Sequence, residues 1–521
     1  MTTRSRRAFL AQVGWGMMAT SVGLGMTAEL GLATPVNLDE GNDSLDFGEL
    51  EPLVRLMQDT PIDQLLPVLA KQLKNGTELN RLSAAAALAN ARTFGGEDYV
   101  GFHTMMALAP ALHMSSELPA ELRPLPVFKV LYRNTNRIQE HGGRASEVLK
   151  KATPAATFSP AGDGGQALRD AVRRVDVNSA EATFAALALT SPDEALNDVL
   201  ATVEDGVDVH RVVLPYRAWD MLGLIGKEHA HTLLRQSVRF CVKAELNIRS
   251  SSSLEPRQIL ASTLDQHRLL GKELGSREVD DQWIDHAAMA IFEGTPKQAA
   301  DLAGAALADG IEPDALGEAI CLAANQLILR DFGRTPNDEV AGKPLGSVHG
   351  DSIGVHACDS ANAWRNLARA GNARNKTACL IMGAYQASRD RVDRGGDFLH
   401  WQPLPLPRHV AEFTTTHPAE LLSYAETAIR GNMQAHACAT IHKYGQLGHP
   451  ARPVFDLMLK YAVSEDGSLH AEKFYRTVSE EFATTRPAFR WRHLVALARV
   501  TASEYGRPAA GYAQAKELLR V

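Results

Sequence analysis

A helix-start signal recurs four times along this chain, and each time an amphipathic stretch rich in Ala and Leu follows it and ends in Gly. The starts are Thr60-Pro61, Ser191-Pro192, Thr295-Pro296 and His417-Pro418. The stretches read Pro61-IDQLLPVLAKQLKN-Gly76, Pro192-DEALNDVLATVED-Gly206, Pro296-KQAADLAGAALAD-Gly310 and Pro418-AELLSYAETAIR-Gly431. Thr or Ser caps the free amides of the first turn, Pro tolerates the first helical position, and Gly supplies a left-handed residue that stops the helix. Apolar residues make up 45% of the chain and aromatics 6%, with few alternating runs of Val, Ile and Thr, which excludes a β-sandwich or an α/β sheet.

A second Ala/Leu-rich helix with a basic residue near its end follows each Gly, at Arg92, Arg217, Arg330 and Lys443. The starts lie 131, 104 and 122 residues apart, so each unit holds four or five helices. The expected fold is all-α: about four repeated multi-helix units starting near 60, 191, 295 and 417, arranged as a solenoid or a closed helical toroid in one domain over 51–521. Connectors rich in Gly and Pro lie at 153–165 and 394–407.

The N-terminus, Thr3-Arg4-Ser5-Arg6-Arg7-Ala8-Phe9-Leu10, resembles a twin-arginine export signal, and an uncharged stretch from Ala8 to Ala28 follows. Small residues at Gly31 and Ala33 predict cleavage after residue 33, with 34–50 as a linker. The expected partner is the twin-arginine machinery, and the expected place the periplasm or cell envelope, without stable membrane insertion once the signal is cut. The stretch is also long enough to be retained as an anchor. Cleavage takes away three arginines and one glutamate and moves the formal charge from −7 to −9. With no basic block elsewhere, nucleic-acid binding is excluded. Five widely spaced cysteines, Cys241, Cys321, Cys358, Cys379 and Cys438, form no Cys-x-x-Cys pair and read as buried apolar residues.

No Walker loop, no GxGxxG after a strand, no His-Glu-x-x-His and no Gly-x-Ser-x-Gly is present, which disfavours nucleotide chemistry. Histidines stand out instead. His103 opens His-Thr-Met-Met and His231 opens His-Thr-Leu-Leu, 42 and 39 residues after their unit prolines. The third unit offers His349 and His356 at i and i+7, and the fourth offers His436 with Lys443. If units circle an axis, equivalent helices aim histidines at one point, where imidazoles suit iron, copper or zinc. Tyr216, Arg217 and Tyr444 flank the repeated basic position and are candidates for supporting catalysis. His113, His141, His267, His286, His470 and His493 read as ordinary core or surface histidines.

On Gly101-Phe102-His103, His349-Gly350-Asp351-Ser352 and His436 with Lys443, the chain resembles the questin-oxidase-like family. That resemblance implies non-haem iron held by several histidines and a carboxylated lysine three residues after a His. Here Ala439 lies three residues after His436, and Lys443 seven after. The expected function is an exported, metal-dependent oxidoreductase with a mononuclear non-haem iron, oxidising a small organic substrate with dioxygen. The alternatives are a helical-repeat binding scaffold without catalysis, or a helical-toroid polysaccharide lyase using Tyr132-Arg133-Asn134-Thr135-Asn136.

Overall fold

Helix after helix runs through the computed structural model, which describes residues 43–155 and 164–521; among them only α-helices, single-turn helices and isolated bridges occur. The twin-arginine signal and its cleavage point lie outside the described residues, as does part of the 153–165 connector. No helix among the described residues is long and apolar enough to cross a membrane. The four recurrent signals do start helices, Ile62–Lys74, Pro192–Val203, Pro296–Ala308 and Pro418–Arg430. Only two of them cap as expected. Ser191 accepts the amide of Glu194, and Thr295 closes a reciprocal capping box with Gln298. Thr60 and His417 make no side-chain cap. Gly76 and Gly310 take the left-handed stop, whereas after Pro418–Arg430 that conformation falls on Asn432, and Gly206 does not adopt it.

The core is continuous from Val54 to Ala515. At its centre four helices contact one another in a closed cycle: Tyr99–Glu117 packs on Val209–Ile225, that on Ile353–Ala370, that on Ala471–Thr484, and the last returns to the first. Each has a histidine within five residues of its start, or at its cap: His103, His210, His356 and His470.

Two contacts show why small residues sit at these helix starts. A Cβ on Gly101 would lie 2.5 Å from the Phe94 ring, and one on Gly354 would lie 2.9 Å from the backbone nitrogen of Ile328. Larger residues would push the first turns of the His103 and His356 helices off their neighbours and move the histidines with them.

Candidate metal centre

Four imidazoles meet edge to edge. His103 Nε2 lies 3.3 Å from His210 Nε2, and His356 Nε2 lies 3.0 Å from His470 Nε2. Ring centroids complete the circuit at 5.6 Å between His210 and His356 and 5.2 Å between His470 and His103. Ligand atoms of His103, His210 and His356 all fall within 4.8 Å of one another.

Backbone and carboxylate acceptors fix the tautomers. His103 Nδ1 donates to the Tyr99 carbonyl at 2.7 Å, and His470 Nδ1 to the Ser468 carbonyl at 2.9 Å. His210 Nδ1 donates to Asp208 Oδ1 at 3.2 Å. With Nδ1 protonated in all three, their Nε2 atoms carry lone pairs. The His103–His210 approach therefore sets lone pair against lone pair, which is unfavourable unless a cation lies between them. A metal ion, or a proton shared between the two rings, would supply that cation. Burial, then the Lys473 charge and the neighbouring histidines, hold His103 and His470 well below the usual imidazole range. A metal ion about 2.1 Å from each nitrogen places adjacent ligands roughly 3.0 Å apart at right angles and about 3.4 Å apart in a tetrahedron. The His103–His210 and His356–His470 separations match adjacent ligand pairs, and the nitrogens that cluster within 4.8 Å of one another are those of His103, His210 and His356. The donor set, neutral imidazoles without a carboxylate among them, fits a transition metal and not calcium or magnesium.

Local structure holds each ring in place. Asp208 does two jobs, accepting the amides of His210 at 2.9 Å and Arg211 at 3.2 Å as the helix cap while orienting the His210 ring. Against the pull of burial, the His210 ring and these amides hold its carboxyl down to about 2. Asp98 caps the His103 helix through Gly101 N at 2.7 Å and is itself clamped by Arg137. The turn before His470 puts Ser468 and Leu469 in the left-handed region, at φ 52° and 66°. For a branched, buried Leu that is strained backbone, and it brings the Ser468 carbonyl onto His470 Nδ1. Tyr99 and Phe102 stack on His103, with centroids at 4.4 and 5.0 Å.

Behind the ring lies Lys473, one turn beyond His470 on the same helix and buried. Burial outweighs the attraction of Asp359 and Glu472 and brings its amine down to about 8. Asp359, pushed up by its own burial, accepts a hydrogen bond from Thr477 Oγ1 at 2.8 Å. Beside the ring the side chains of Asp208 and Asp351 are 43% and 41% exposed, while His103, His356 and His470 are buried.

Of the metal ligands expected from sequence, the structure brings His103 and His356 to this ring and places the others elsewhere. His231 stacks on Phe184 at 5.6 Å with its pKa brought down to about 4 by burial. His349 uses both nitrogens, one on Ser503 Oγ and one on the Gly342 carbonyl, each at 2.9 Å. His436 pairs with Glu412 at 2.9 Å on the surface, and Lys443 donates to the Phe413 carbonyl. Tyr216 donates to Glu480 at 2.7 Å. Arg217 binds Asp220 at 3.2 Å and Thr477 Oγ1 at 3.3 Å, and Thr477 in turn joins it to Asp359. Tyr444 packs between His449 and Trp491, away from the ring. In the expected sugar-binding cluster Asn134 and Thr135 are fully buried, Arg133 is tied to Asp466, and Asn136 donates to Glu140.

Sequence reasoning missed His210 and set His470 aside. The ring takes its histidines from the third, second, third and fourth helices of the successive expected units. Matching His-Thr phrases therefore paired His103 with the wrong helix. A better signal was available: His210 and His470 both bond back to the residue two before them, at a helix start. Compared with known proteins, the chain matches no family model, no curated sequence and no solved structure.

Proposed function

We propose that this protein is an exported metal-dependent oxidoreductase whose centre is the four-histidine ring, with mononuclear non-haem iron as the metal and dioxygen and a small organic molecule as co-substrates. The observation that carries the reading is the convergence of Nε2 lone pairs whose Nδ1 atoms are already committed, the arrangement that metal-binding histidines require. A bound redox metal would supply oxygen activation. His103, His210, His356 and His470 would hold it, with Asp208 and the Tyr99 and Ser468 carbonyls fixing the rings.

The family resemblance gains a residue from this arrangement. His470-Ala471-Glu472-Lys473 has the lysine three residues after a His, the spacing that His436 lacks. An ammonium at Lys473 would repel a metal ion, whereas its lowered pKa makes the neutral amine easier to reach near pH 7, and that amine can add to carbon dioxide, releasing a proton and leaving a carbamate. Lys473 is the position we assign to the carboxylated lysine. Four units circling an axis would account for the cyclic order of the four helices.

The test is metal content by elemental mass spectrometry on protein purified from an exporting host without a histidine tag. About one equivalent of iron, lost in His210→Ala and in His470→Ala, is expected. Metal-free protein after anaerobic reconstitution with iron would overturn the reading. In iron-loaded protein, optical and paramagnetic signals that respond to dioxygen would separate an oxygen-using centre from a redox-silent one.

A further inference from the structure

The segment Asp331–Ser352 joins the Pro313–Arg330 helix to the His356 helix without a helix of its own. Irregular connections of this length are uncommon inside a compact domain and usually serve a function. Its neck is zipped: Gly346 N donates to the Arg334 carbonyl at 2.8 Å, and Arg334 N to the Ser347 carbonyl at 3.1 Å. A Cβ on Gly333 would lie 2.3 Å from the Gly346 carbonyl oxygen, so only glycine closes the neck there. Ends held together around a short excursion make an Ω-loop, whose tip turns at Val340 and Lys343.

That tip is fastened back towards the histidines. Asp351 accepts Lys343 at 2.8 Å and Arg334 as well. His349 holds the Gly342 carbonyl from one nitrogen while the other engages Ser503. Asp351, held by Lys343, immediately precedes Ser352, the cap of the helix that carries His356 in its first turn, so the tip and its anchor stand beside that corner of the ring. On its outer side the loop exposes Phe332, Val340 and Leu345. Two cavities among the described residues hold about 10 Å³ each, and neither is lined by the four histidines. A space of that size takes about one water molecule.

We propose that the loop Gly333–Gly346 is a lid over the histidine ring, with Asp351 as its latch and His349 as the peg that seats its tip. The latch is suited to repeated opening. It consists of ion pairs to a partly exposed carboxylate, which are weak individually, and the neck supplies a hinge of glycines in the left-handed region at Gly333 and Gly346. Exposed apolar side chains on the lid give an incoming apolar molecule something to engage before the ring becomes accessible.

The lid rests on the ring being the functional centre, but its test does not need a metal. Metal-free wild type, Asp351→Asn and Lys343→Met are treated with diethyl pyrocarbonate, and modification of each histidine is followed by peptide mass spectrometry. Backbone hydrogen exchange is read in parallel. Both variants are expected to speed modification of His210 and His356 by about five- to tenfold. Faster exchange at Lys343 and Gly346, with His231 and the helices unchanged, is expected alongside. Wild-type rates at His210 and His356 in both variants would overturn the lid, as would acceleration spread evenly over all helices. A protein that never binds metal but shows the selective acceleration retains the lid and loses only the metal reading.

Discussion

Two buried polar clusters lie at opposite ends of the Ala471–Thr484 helix, and they are built differently. Near its C-terminal end Glu481 accepts Arg365 at 2.6 Å and Asn362 at 2.8 Å, while Arg365 also holds Asp314 at 2.8 Å. Buried charge is answered there by opposite charge, with Asn362 Oδ1 left without a partner. At its N-terminal end His470 meets three more imidazoles, and in His103, His210 and His470 the outer nitrogen is held by a backbone carbonyl or by Asp208 while the inner nitrogen faces another ring. The first cluster pairs opposite charges. The second gathers like groups, which under the proposed function meet around a metal, and that difference says more than residue type does, since both contain a buried histidine, His493 and His470.

The comparison breaks most visibly under mutation of its two anchors. Glu481→Ala strands a buried guanidinium and is expected to cost about 3–5 kcal/mol of stability, read by chemical denaturation, with metal content per folded molecule unchanged. His470→Ala is expected to do the reverse, removing the metal while circular dichroism shows the helices intact. If both variants lost stability and metal together, the two clusters would not be separable.

A subtler change sharpens it. Asp208→Asn keeps the helix cap, since an amide oxygen also accepts backbone N–H groups, but weakens the acceptor that sets the His210 tautomer. Metal affinity by competition with a chelator is expected to fall about 10–100-fold with little change in melting temperature.

The smallest effect is a pH dependence. His493, beside Glu481, is brought down to about 4 by burial, as are His231 and His349 away from both clusters. The unfolded chain takes up protons near 6.5 and the folded one does not until about 4, so the stability these groups hold above 6.5 is lost as pH falls through that interval. Melting temperatures of metal-free protein should decline between pH 6.5 and 4, and His493→Asn should flatten the decline slightly.

The all-helical class was legible because Ala and Leu at helical spacing, bounded by Ser191-Pro192 or Thr295-Pro296, leave a chain few other options. Half of the capping detail was not: whether Thr60 caps depends on the packing around it, where Gln139 binds the backbone at Thr60 and Ile62. His103 and His356 could be found in the sequence. His210 and His470 could not be found by repetition, since the ring draws on helices at different places in successive units. What defines those two is a local bond back to Asp208 or Ser468, and what unites all four is a tertiary cycle that no spacing along the chain records.

The histidines sit at or close behind the starts of their four helices, and this has an electronic consequence. Each helix start carries a partial positive charge of about half a unit from its unpaired amides. Four such ends gathered around uncharged ligands make a field that penalises a higher oxidation state more than a lower one. A redox ion held by His103, His210, His356 and His470 would therefore have its reduction potential raised by the fold itself, and a negatively charged fourth or fifth donor at Lys473 would pull it back down.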